Sequence, residues 1–278
     1  MLTITHFKTS KNNTTNVNSS PIRPSSPIRP SALERTPSKD TVTFGKINNN
    51  APISEEESND FITDFYDSPN KAIKTLKEEK KPNEDDLRDF FTTKIGKNGR
   101  NVFQYAIEDS SEKVTPDTIK DMFKLLGRVG DKKLTRDILT QRDKEHQNLL
   151  QIAIANSVPV ETIDIIINEA RKADKGSEHP NTTLAKMLLS TDGENENTLQ
   201  IALEYSNAEG VQKVLEAAES LNPRQQTRLI RNTNAEGENA REIFCFTTAK
   251  KEMQPAFDAI DYFAKEHYIN LSPIAKKA

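Results

Sequence analysis

Asn148-Leu149-Leu150-Gln151-Ile152-Ala153 is written, with changes, four times in this chain. It stands as Asn101-Val102-Phe103-Gln104-Tyr105-Ala106 before that copy, and as Asn197-Thr198-Leu199-Gln200-Ile201-Ala202 and Asn239-Ala240-Arg241-Glu242-Ile243-Phe244 after it. The Asn recurs after 47, 49 and 42 residues, each time with Gln or Glu three places on. Asn is a strong helix N-cap, because its side-chain oxygen accepts from the free N–H groups of the first turn. Gln or Glu at the third helical position reaches back to the cap and completes a capping box. The chain therefore announces one helix start four times. Repetition with a period of a few tens of residues predicts a solenoid.

Each unit reads as three helices. The A helix opens at the phrase itself. The first B helix starts at Thr115-Pro116, with Pro at the favoured first position, and carries Ile119, Met122, Phe123, Leu125 and Leu126. The second follows Pro159 with Ile163, Ile165, Ile166 and Ile167, and the third carries Val211, Val214, Leu215 and Ala218. A short C helix closes each unit at Leu134–Leu139, Leu184–Leu189 and Thr227–Ile230. Leu87–Phe91 matches these, behind an Asn83–Asp86 capping box, and reads as the C helix of an incomplete leading unit. Ser54 with Glu57 reads as a further capping box, and 55–65 and 69–79 as two short helices. A last helix with Phe257, Ile260, Tyr262 and Phe263 closes the row. No β alternation of any length is present, so the fold class is all-α.

The 278 residues hold 34% hydrophobic side chains at a mean hydropathy of −0.74, lean for one large core and suited to a thin stack. The single cysteine, Cys245, excludes an internal disulfide framework and agrees with a reducing compartment. No apolar run reaches the length of a membrane helix, and the N-terminus has no signal-peptide core. The expectation is a chain without a membrane span, in the cytoplasm. Net charge is −3, unevenly spread. Residues 1–50 carry seven Lys/Arg and two acids, and the other 228 carry 32 basic and 40 acidic residues. An acidic body argues against phosphate binding as the main task of the fold, so nucleic acid is an unlikely partner.

The boundaries that follow are a Ser/Thr/Asn/Pro-rich tail at 1–52, capping helices at 53–95, repeats at 96–251, and a closing helix and tail at 252–278. The tail is too poor in apolar residues to offset its chain entropy and is expected to be disordered. Within it Ser20-Pro21-Ile22-Arg23-Pro24 is repeated as Ser26-Pro27-Ile28-Arg29-Pro30. Three readings stay open: a polyproline segment for an SH3-like or WW-like groove, proline-directed phosphorylation at Ser20, Ser26 and Thr36, and a stiff linker.

The repeat phrase resembles the ankyrin repeat, whose signature runs Asp-x-x-Gly-x-Thr-Pro-Leu-His-x-Ala. The third unit carries it furthest: Asp192 stands at the Asp, Asn195 at the Gly, Asn197 at the Thr, Leu199 at the Leu, Gln200 at the His and Ala202 at the Ala. The second unit keeps Asp143, Leu150 and Ala153, with His146 where Gly is expected. The first keeps Gly99, Phe103 and Ala106, and the fourth Asn234 and Gly237. Asn for Thr retains a capping oxygen, and Gln for His retains a hydrogen-bonding side chain. No unit has the Pro, and the units exceed the roughly 33 residues of an ankyrin repeat by the length of the C helix. The fold class is thus a helical-repeat solenoid of ankyrin-like units extended by a third short helix, with a three-helix repeat of the armadillo type as the other architecture open.

No constellation for catalysis, cofactor or metal is visible. His6, His146, His179 and His267 are scattered, none in metal-ligand spacing with another or with Cys245, which reads as a small buried hydrophobe. Gly96-Lys97-Asn98-Gly99 is too short for a phosphate loop and reads as a turn. The resemblance implies a scaffold that binds a partner protein through a concave face of inner helices and the turns before them. It selects Lys97, Arg100, Lys144, His146, Glu194, Glu196 and Glu236, with a first turn that is basic and a third that is acidic. The acid-poor N-terminus resembles the secretion signals of bacterial type III effectors, which implies a protein working in a host cytoplasm. The alternatives are an enzyme with a site between non-equivalent helices, which requires a polar pocket with coupled titratable groups, and nucleic-acid contact through the basic tail.

Overall fold

The computed structural model describes residues 64–271 apart from 66, 81, 96–97, 109–112 and 247–250, with only the backbone of 79–80 and 244–246. The expectations for the 1–52 tail, the Ser54 capping box, Lys97 and the Cys245 side chain lie outside what is described. Among the described residues, regular structure is helical, apart from an isolated antiparallel bridge between Ile95 and Arg100. No helix there is long and apolar enough to cross a membrane.

The helices are α1 Pro69–Thr75, which runs on as a π-helical turn to Lys80, α2 Glu84–Thr92, α3 Val102–Glu108, α4 Pro116–Arg128 and α5 Lys132–Thr140. There follow α6 Leu149–Ala155, α7 Val160–Ala173, α8 Thr182–Leu189, α9 Thr198–Glu204, α10 Ala208–Ala218, α11 Pro223–Arg231, α12 Ala240–Phe246 and α13 Gln254–Glu266. Helices of equal rank touch in sequence order. The A helices α3, α6, α9 and α12 pack one on the next, as do the B helices α4, α7 and α10. Helix α1 joins the B row at one end and α13 at the other. The C helices α5, α8 and α11 form a third row.

The capping boxes explain where the A helices start. At Asn101, Asn148, Asn197 and Asn239 the side-chain oxygen accepts from the third helical N–H, and the Gln or Glu three places on accepts from the Asn N–H. Asn83 with Asp86 does the same for α2. An unpredicted box at Asn222–Gln225 starts α11, again with Pro at the first position. The A helices stop after two turns. Ser157 and Ser206 take left-handed φ of 49° and 53°, and the next amide closes a 6→1 bond, Val158 to Ala153 and Asn207 to Ala202. This is the usual Schellman stop with Ser in place of Gly.

A seven-residue helix is marginal in isolation, so packing must hold it. Leu149 to Ile154 in α6 and Thr198 to Leu203 in α9 are buried without a break. These two A helices are therefore enclosed, each in contact with a B helix and a C helix as well as with its neighbouring A helices. In the closing helix, Ile260 and Phe263 are buried as expected, but Tyr262 is 65% exposed and takes no part in the core.

The phrase does more than cap. Asn101 Nδ2 donates to Ile138 O at 3.0 Å, Asn148 Nδ2 to Met187 O at 2.9 Å and Asn197 Nδ2 to Leu229 O at 2.8 Å, each on the C helix of its unit. The Gln amide donates twice. Gln104 reaches the carbonyls of Gln141 and Gln147, Gln151 those of Ser190 and Glu196, and Gln200 those of Asn232 and Glu238. One Gln therefore ties its helix to the end of a C helix and to the residue before the next A helix. All three Asn and all three Gln side chains are fully buried. Asn148→Ala removes the cap and the Asn148 bond to Met187 O, which keeps only the Thr198 hydroxyl as a side-chain donor, and should cost about 1–3 kcal/mol in urea unfolding. The same change at half-buried Asn239, at the end of the row, should cost less.

Candidate functional site

Before α6, α9 and α12 the chain makes one tight turn. Asp143 N donates to Gln147 O, Asp192 N to Glu196 O and Asn234 N to Glu238 O, at 2.9–3.0 Å. The first residue of each turn accepts two backbone N–H bonds through Oδ1, Asp143 from Glu145 and Gln147, Asp192 from Glu194 and Glu196, and Asn234 from Glu236 and Glu238. The fourth turn position lies in the left-handed region, with φ of 64° at Gly99, 63° at His146, 62° at Asn195 and 79° at Gly237. Adjacent turns are joined by single backbone bonds: Lys144 N to Asn98 O, Gly193 N to Glu145 O and Ala235 N to Glu194 O. The tips thus form one continuous row.

The row sorts the predicted residues. Lys144, His146, Glu194 and Glu236 are exposed at the tips. Arg100 and Glu196, at 0% and 4% exposure, are not surface residues, and their reading as partner contacts is corrected. The reason is positional. Each directly precedes a capping Asn, as do Gln147 and Glu238, and all four side chains turn inward beneath the tips. With Arg100 buried and Lys97 outside the described residues, the basic first turn has no described support. In the A helices α6 and α9, Leu149 to Ile154 and Thr198 to Leu203 are all buried.

Beneath the tips runs a polar ladder that the sequence reading missed. Arg100 Nε meets Asp143 Oδ2 at 3.2 Å, and its Nη2 meets Glu108 Oε2 at 2.6 Å. In the next step Gln147 Nε2 makes a longer contact of 3.5 Å to Asp192 Oδ2. In the third, Asn234 Nδ2 donates to Glu196 Oε1 at 3.2 Å. The direction reverses there. Where the first two steps place a donor before the capping Asn and a carboxylate on the next turn, the third has the acid first and the amide second. A Glu–Asp pair would have set two acceptors face to face, and Asn234 avoids that.

Glu196 also faces Glu204, eight places on, as Arg100 faces Glu108. Burial, and then the neighbouring Glu204 carboxyl, push the Glu196 pKa up from 4.5 to about 9, against a smaller opposing effect of the Asn234 amide. The pair therefore holds a proton at neutral pH. Burial likewise raises Asp192, opposed by the N–H groups of Glu196 and Glu194.

On the C row lies an open groove of about 860 Å³, running from the end of α5 across α8 to α11. Neither Glu196 nor Glu204 lines it. Among the described residues no group of three or more His, Cys, Asp or Glu side chains is placed to hold a metal ion. No family model matches the chain, and no curated protein matches it.

Two predictions follow from the turns and the ladder. His146 occupies a backbone region that costs a side-chain-bearing residue about 1–2 kcal/mol, part of which glycine gives back as chain entropy. His146→Gly should raise stability by up to about 1 kcal/mol, seen as a higher midpoint of thermal unfolding. For Glu196, the folded pKa is above the unfolded one, so the folded state holds the extra proton. Stability from this group is complete below about pH 4.5 and is lost as pH rises towards about 9. Glu196→Gln should flatten that decline in unfolding free energy measured across the same range, whereas an unchanged slope would assign the decline to other groups.

Proposed function

We propose that this chain is a protein-binding scaffold, a helical-repeat solenoid of ankyrin-like units with an added C helix, and that it meets its partner through the row of turn tips. The observation that carries this reading is the contrast within the turns. What recurs is backbone geometry and inward-facing polar residues, which fold the turn. What varies is the set around a shared outward Glu: Glu145, Glu194 and Glu236 hold one turn position, flanked by Lys144 and His146 in one turn, Gly193 and Asn195 in the next and Ala235 and Gly237 in the last. A row of evenly placed acids with one basic flank is suited to choosing a partner by electrostatic complementarity. The packing of A on A, B on B and C on C supports the solenoid reading, since each unit then contacts its neighbours in order. The acid-poor N-terminal composition supports a delivered effector acting on a host protein.

The enzyme reading asks for coupled titratable groups around a pocket. The Glu196–Glu204 pair does not line the groove, and so it lends that reading no support.

The test is affinity capture from cell lysate by the full chain beside its Lys144→Glu, Glu194→Lys, Glu236→Lys triple variant. All three positions are exposed, so the variant should unfold at the same denaturant concentration. A partner held by the parent and released by the variant is the expected result. Equal capture by both, or no specific capture by either, would sink the turn-row reading.

A further inference from the structure

The groove on the C row has a charge that the rest of the body does not. Residues 51–278 carry an excess of acids, yet the groove is lined by three cations, Arg142, Lys186 and Arg228, and one carboxylate, Glu178. Lys186 and Arg228 are exposed and have no ion-pair partner among the described residues. They also share a register. Lys186 directly precedes Met187, whose carbonyl accepts from Asn148, and Arg228 directly precedes Leu229, whose carbonyl accepts from Asn197. The repeat therefore sets them side by side on adjacent helices. In α5 the same register holds Asp137, paired with Lys133, which ends the cationic row. Arg142 extends it from the other side, held by donation to the carbonyls of His146 and Thr191.

We propose that this groove binds an acidic peptide segment of a partner protein in extended form. This goes a step beyond the scaffold reading and rests on it. The groove crosses the C helices instead of running along one, so its occupant passes from helix to helix. Neighbouring helix axes lie roughly 8–10 Å apart, about three residues of extended chain at ~3.3 Å each. Acidic side chains at that spacing meet Arg228 and Lys186 in turn and approach Arg142. An amphipathic helix would need a continuous apolar strip, and the apolar lining residues are only Pro180, Ala185 and Leu189. The chain's own N-terminal fifty residues carry seven Lys/Arg against two acids, so the groove repels them. A nucleic acid would meet the cations too, but its remaining phosphates would face an acidic body.

The experiment is fluorescence anisotropy of full-length protein with a short labelled peptide of Glu and Ser. Its Gln/Ser and Lys/Ser counterparts and a single-stranded oligonucleotide serve as the other arms. The Glu peptide should bind saturably, more weakly as salt rises, and the Gln and Lys peptides should not. Lys186→Glu with Arg228→Glu should weaken it by about tenfold or more, and Lys186→Gln with Arg228→Gln by less. The turn-tip triple variant should bind the Glu peptide as the parent does. Equal binding of the Gln peptide, tighter binding of the oligonucleotide, or unchanged affinity in the groove variants overturns the proposal. So does a parent that sediments as a dimer and a groove variant that sediments as a monomer, which would make the occupant a second copy. Failure of peptide binding beside turn-dependent capture overturns the groove alone. Peptide binding without turn-dependent capture overturns the turn-row reading and leaves the groove.

Discussion

The structure depends on a side-chain amide that works in two directions. A helix of seven residues buried on every side has a problem at its ends, because its first N–H groups and the carbonyls it abuts lie out of reach of water. Asn148 accepts at its own helix start and donates to the C helix of its unit. Gln151 accepts from the Asn and donates to two carbonyls, one before the next turn and one at its end. A Ser or Thr cap has one donor and a carboxylate has none, so neither could make the two donations that Asn148 makes, to Met187 O and Ser190 Oγ. The last copy bears this out chemically. Glu242 closes the capping box and has no side-chain N–H to give, at the last A helix among the described residues.

The same economy of buried polar groups governs the ladder under the turns. Each step must match donor to acceptor across about forty residues of chain, and three steps solve this with three different pairs. Arg100 with Asp143 is ionic, Gln147 with Asp192 mixes an amide with an acid, and Glu196 with Asn234 reverses the sense. The first and last are costly by different routes. A buried ion pair must recover two desolvation penalties, whereas Glu196 avoids one by keeping its proton beside Glu204. The steps are thus chemically unequal although the backbone repeats.

The starts of the A helices and the unit lengths were legible in the sequence because they are written locally. Asn-x-x-Gln, Thr115-Pro116 and the apolar rhythm of the B and C helices each lie within a turn or two of chain. The placement of Arg100 and Glu196 was not legible. Both sit in charged, turn-like sequence beside residues that are truly exposed, and their burial comes from partners at Asp143 and Asn234, far along the chain. The stops at Ser157 and Ser206 were hidden for another reason, since Ser does not announce a left-handed conformation as Gly does. The groove had no local signature at all. Lys186 and Arg228 become neighbours only when Met187 and Leu229 are recognised as equivalent acceptors.

Leu149 to Ile154 shows no exposed position in six. Outward-facing positions are found at the turn tips, where the backbone is held by cross-turn bonds, and on the C helices. Those two surfaces meet at Arg142, whose guanidinium braces the His146 carbonyl at a tip while its charge lines the groove. A partner long enough to touch both would read the charge of the tips and the opposite charge of the groove in one pass. Linking two weak sites on one rigid support raises avidity without enlarging either.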